Sequence, residues 1–162
     1  MSSTTPDFKA LARHDQIFLG AGLLAFIFTF IAFAHIDVGG LTSDTASAWH
    51  GVGSLAAILL LLAVAVGGAV VFAPDALSAL PVPGRLVATG LSALALVLFV
   101  VRWLTLPHNI LGSNFSYGLY WGGYVLLVLN IVTVVGGFLG MKANGVSLPG
   151  RGASGGSAAP SA

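Results

Sequence analysis

Four long apolar stretches separated by short polar breaks dominate the pattern of this chain. They cover approximately residues 17–36, 49–72, 86–106 and 119–141, and each holds few or no ionisable side chains. In a helix rising 1.5 Å per residue, about 20 apolar residues cross the roughly 30 Å of hydrocarbon in a bilayer, so each stretch has the length of a transmembrane span. The breaks carry turn chemistry: Gly39-Gly40 and Asp44, then Pro74-Asp75 and Pro81-Val82-Pro83-Gly84, then Pro107-His108-Asn109 with Gly112-Ser113-Asn114. Connections this short make sequence neighbours antiparallel neighbours. A transmembrane barrel would instead show ten-residue alternating segments, and the run from Leu55 to Val66 does not alternate. The predicted fold is an all-α membrane protein, a four-transmembrane-helix antiparallel bundle over 17–141. A segment of residues 1–16 precedes it. A Gly, Ser, Ala and Pro-rich tail over 142–162 follows, with too little apolar surface to fold.

Composition agrees with immersion in lipid. Of 162 residues, 57% are hydrophobic and 7% charged, too few charges to cover a water-soluble domain. Lys9 and Arg13 precede the first stretch, Arg85 lies between the second and third, and Lys142 and Arg151 follow the fourth, while the first and third breaks hold no Lys or Arg. By the positive-inside rule the chain is expected in the cell membrane as a multi-pass protein, with both termini and the middle break cytoplasmic. A net charge of +1 from scattered cations excludes a nucleic-acid footprint, so no DNA or RNA partner is expected. Without cysteine there is no disulfide, iron–sulfur cluster or thiol nucleophile. Ala32-Phe33-Ala34, closing the first stretch behind a basic flank, also fits a signal-peptidase site, although the apolar run is longer than such peptides need.

Two hairpins overlay at an offset of about 72 residues: His35-Ile36-Asp37 with Trp49-His50-Gly51, against His108-Asn109-Ile110 with Trp121-Gly122-Gly123. The overlay reads either as two tandem helical hairpins born of duplication or as the shared demands of a membrane interface on Trp and Gly.

Polar side chains gather at the expected outer side: His35, Asp37, Asp44, His50, Arg102 and His108, among Trp49, Trp103, Tyr117, Tyr120 and Trp121. Imidazole and carboxylate are ordinary ligands for zinc or copper. No two of these His residues stand at helical i, i+4 spacing, however, and no metal or other cofactor is expected. Arg102 reads as a snorkelling interfacial cation or as the partner of Asp37 or Asp44 across the bundle. Asn130, at mid-depth of the fourth stretch, is expected to face another helix. Gly118 and Gly122, Gly136 and Gly140, and Ala63 with Gly67 stand four apart, the spacing at which small residues admit a neighbouring backbone. Neither a catalytic triad, a P-loop nor a dinucleotide fingerprint appears.

Arg13-His14-Asp15 entering the first stretch, Ser47-Ala48-Trp49-His50-Gly51 opening the second and Trp121-Gly122-Gly123-Tyr124 opening the fourth resemble uncharacterised actinobacterial four-span integral membrane proteins over most of residues 10–142. The resemblance implies a bundle in the cell membrane and no established activity. Residues and resemblance together point to a non-enzymatic accessory or scaffolding subunit of a larger membrane complex, meeting lipid and either another membrane protein or a second copy of itself. The competing expectation is a small oligomeric carrier or channel with the His/Asp cluster at its outer mouth.

Overall fold

The computed structural model describes residues 8–38, 42–105 and 115–146. The elements follow in the order α1 (Arg13–Phe28), β1 (Ala32–Val38), β2 (Thr42–Ser47), α2 (Val52–Phe72), α3 (Gly84–Leu104), β3 (Phe115–Leu119) and α4 (Trp121–Ala143). The protein is mostly helical. Among the described residues three helices, α2, α3 and α4, are long and apolar enough to cross a membrane, with hydropathies of 2.8, 2.1 and 2.2 over their most apolar windows.

The first predicted span needs correction. A helix over 17–36 is expected, but α1 ends at Phe28 and the chain turns into strand from Ala32. Two tertiary demands stop the helix. The Thr29 hydroxyl donates to the Phe26 carbonyl at 2.6 Å and accepts the indole N–H of Trp49 at 3.0 Å, while the Thr29 carbonyl accepts the amide of Ala48 at 3.2 Å. Beyond this clamp the backbone of residues 32–38 satisfies its donors and acceptors across two neighbours rather than along a helix. β1 is the central strand of a three-stranded antiparallel sheet ordered β2-β1-β3. The expectation of an all-α chain fails here, because the end of the first stretch, residues 32–38, forms a sheet with residues 42–47 and 115–119. The Ala32-Phe33-Ala34 site falls in this strand, with Phe33 and Ala34 buried and the Phe33 carbonyl accepting the Tyr120 amide at 2.9 Å.

Helix ends follow from local chemistry. Gly51 precedes α2 at φ +59°, ψ −129°, a conformation closed to residues with a Cβ. At the end of α4, Gly145 takes φ +64°, and the amides of Gly145 and Val146 reach back to the carbonyls of Lys142 and Met141, the paired bonds of a Schellman cap. Pro74 terminates α2 and Pro83 stands ahead of α3.

Each helix packs on two others: α1 on α4 and α2, and α3 on α2 and α4. Close approach of α1 and α4 depends on glycine. A Cβ at Gly122 would stand 2.5 Å from the Ala32 carbonyl oxygen, one at Gly136 2.9 Å from the Phe18 amide nitrogen, and one at Gly140 3.1 Å from the His14 ring. Gly118 lies in β3 with open space beside it, so the proposed Gly118/Gly122 pair does not share a helix. Beneath the sheet the core is sealed by Phe33, Phe99, Leu60 and Leu126, none more than 1% exposed. The Phe33 and Phe99 rings meet with centroids 6.2 Å apart.

Candidate functional site

At the sheet end the structure separates the polar residues that the sequence places together. His35 and Asp37 are two apart on β1 and so share one face of the sheet. Asp44 pairs with Ile36, which puts it on the other face. The His35 ring stacks on Tyr120 at a centroid distance of 6.0 Å, whereas the exposed His50 ring turns back to the Ser47 carbonyl at 3.4 Å. Arg102, partly buried in the last turn of α3, has no carboxylate within ion-pair distance among the described residues, so the pair with Asp37 or Asp44 is not formed. His108 lies outside the described residues. Among the described residues no three His, Cys, Asp or Glu side chains are grouped so as to hold a metal ion. What this end does contain is an aromatic rim: Phe30 stands 5.1 Å from Trp49, and Phe28 meets Trp121 edge-on at 6.0 Å.

The opposite end holds the better-formed constellation. Arg85, at the start of α3, donates from Nη1 and Nη2 to the two carboxylate oxygens of Asp15, at the start of α1, at 2.5 and 3.1 Å. The Asp15 side chain is 11% exposed and that of Arg85 22%, so the fork is largely withdrawn from solvent. His14 Nε2 stands 3.6 Å from Asp15 Oδ2. α4 closes over the pair with glycine, since a Cβ at Gly140 would meet Arg85 Nη1 at 2.9 Å. Bidentate geometry gives this ion pair direction as well as charge, and it ties two helices that are distant in sequence. Immediately inside it is a small cavity with about 20 Å³ of water-accessible space, lined by Asp15, Arg85, Thr89, Phe18, Gly136 and Gly137.

From this cavity a line of polar groups runs into the bundle. The Thr89 hydroxyl donates to the Arg85 carbonyl at 2.8 Å, Ser92 to that of Thr89 at 2.9 Å, and Thr133 to that of Leu129 at 2.8 Å. These three hydroxyls are buried and spend their protons on their own helices, leaving lone pairs to accept. Asn130 lies one turn further in and is fully buried, yet neither its Oδ1 nor its Nδ2 has a hydrogen-bond partner among the described residues. A buried amide left so costs about 1–3 kcal/mol. Asn130 does face the interior, as the sequence leads one to expect, but no side chain of a neighbouring helix bonds to it.

From sequence, Arg85 counts only as a cation between the second and third stretches and Asp15 only as part of the Arg13-His14-Asp15 motif, and the two stand 70 residues apart. The available signal is that Asp15 directly abuts an apolar helix whose flanks are otherwise basic, a position where a carboxylate needs a cation. No family model, curated protein or solved structure matches this chain.

Proposed function

We propose that this chain is a four-span protein of the cell membrane, with both termini and the α2–α3 connection in the cytoplasm, that serves as a non-enzymatic accessory or scaffolding subunit of a larger membrane complex. α1 supplies the fourth crossing: its apolar part, from Ile17, and the helical turns through Ile31 cover about 20 Å, and the sheet completes the distance to the outer interface. The resemblance to actinobacterial four-span proteins accords with this reading and adds no reaction to it.

The observation that carries the subunit role is an apolar groove of about 530 Å³ on the outside of the α3–α4 seam, framed by Leu86, Ala93, Val135, Phe138 and Leu139, with Gly90 opening onto it. Nothing lies within 4 Å of where a Gly90 Cβ would point, so another backbone can approach there. A groove without a single charged lining residue fits an apolar helix of a partner membrane protein.

A photo-crosslinking residue at Val135 in native membranes tests the role, with Gly90→Leu as the competitor variant. The expected result is one reproducible protein adduct that Gly90→Leu abolishes while thermal stability is unchanged. Adducts with lipid alone, or a protein adduct indifferent to Gly90→Leu, overturn it.

A further inference from the structure

We propose that the interior of the bundle is an internal water-binding site, with Asn130 as its anchor and the end bearing Asp15 and Arg85 as its mouth. The site lies on the interior side of Thr89, a residue that also lines the α3–α4 groove, and it needs no partner protein. Asn130 is 0% exposed and both polar atoms of its amide lack protein partners among the described residues, although the group has two donors and an acceptor to satisfy. Threonine and serine in the same helices resolve the same problem by donating to their own backbone, as Thr133 and Ser92 do. Asn130 does not, so its amide is free to bind something else.

Among the described residues the surroundings leave the amide without a protein partner. Contacts between Gly22 and Thr133 and between Gly122 and Ala32 set the register of α1 against α4, which brings Ala25 to the level of Asn130. Contacts of Thr89 with Gly137 and of Arg85 with Gly140 set α3 in the same way and bring Ala95 there. Both alanines are fully buried, and a methyl group offers the amide no hydrogen bond. One turn toward the mouth stand the Thr133 and Ser92 oxygens with free lone pairs, and beyond them is the cavity of about 20 Å³ beside Thr89, enough for one water molecule. On the sheet side, Leu126, Phe33 and Phe99 shut the core. The polar line therefore leads from the cavity at Asp15 and Arg85 toward Asn130 and stops at mid-depth; Ser92, Thr133 and Asn130 have no exposed surface, so water advances along it only as the helices move apart. A buried water typically makes about three hydrogen bonds, and Asn130 with the neighbouring hydroxyl oxygens can supply them.

Nuclear magnetic resonance of the whole chain in lipid nanodiscs, with asparagine side chains labelled and Asn130→Leu used to assign the signal, reads this directly. The expected result is magnetisation transfer from water to the Asn130 amide protons, and their exchange in deuterated water slowed at least tenfold by Thr89→Leu, which plugs the polar line near its mouth. A through-bond coupling from the Asn130 amide to a protein carbonyl, with no transfer from water, overturns the proposal. Exchange untouched by Thr89→Leu overturns the assigned mouth.

Discussion

A carboxylate and a guanidinium joined by two hydrogen bonds near the edge of an apolar bundle make each other tolerable, and either alone would be a burden. Removing one partner of a largely buried pair costs about 3–5 kcal/mol, whereas replacing both with apolar groups can be close to neutral. Arg85→Met or Asp15→Leu alone should therefore lower thermal stability in detergent far more than the double substitution does; additive losses would show that the pair does not couple α1 to α3. Glycines give a second, graded expectation. An alanine at Gly122 meets the Ala32 backbone oxygen and should cost about 1–3 kcal/mol. At Gly140 it meets the movable end of Arg85 and should cost less, and at Gly90 it meets nothing. The loss of stability should be largest at Gly122, smaller at Gly140 and smallest at Gly90, and a uniform loss would mean that helix contact is not what these residues serve. Gly122, Gly136 and Gly140 were legible in the sequence as packing positions, whereas Gly118, read the same way, lies in a strand with open space beside it. The Asp15–Arg85 pair was not legible, because no local pattern brings together two residues separated by an entire helix hairpin.

At the scale of elements, three of the four expected spans correspond to helices of membrane-crossing length, and hydropathy located them because nothing interrupts them. The first could not be located so, because the hydropathy of Ala32-Phe33-Ala34 continues that of the helix before it. A better signal was present: Ala34-His35-Ile36-Asp37-Val38 alternates apolar and polar, and Gly39-Gly40 follows it ahead of a Thr- and Ser-rich run. Period-2 alternation turns both polar side chains to one face of a strand, and that same pleat separates Asp44 from His35 and Asp37. The sequence places these polar residues at one end of the bundle, and the sheet then fixes the directions in which those on its strands point. Central and edge strands should respond differently to proline. His35→Pro removes a ladder donor from a strand paired on both sides and should unfold the sheet end, whereas Asp44→Pro on edge strand β2 should cost much less. Trp49 fluorescence during thermal unfolding distinguishes them, since its indole is bonded to Thr29 at the base of the sheet. Equal effects would contradict the strand order β2-β1-β3.

For the whole molecule, one axis organises everything proposed: an aromatic-rimmed sheet at one end, an ion pair and polar mouth at the other, and a sealed core between them. Lys142 and Arg85 belong to the ion-pair end, and the cation-free sheet lies at the other, the arrangement that orients a membrane protein with its basic end inside. The chain contains no cysteine, so single cysteines can report on sidedness without background. The direct measurement is labelling of Asp44→Cys on the sheet and Ser78→Cys in the α2–α3 connection with a membrane-impermeant maleimide, both positions belonging to exposed or partly exposed turns and strands. In intact cells the sheet cysteine should label at once, and the Ser78→Cys protein only after the membrane is opened. Labelling of both from outside, or of Ser78→Cys alone, would contradict a chain threaded through the bilayer along this axis.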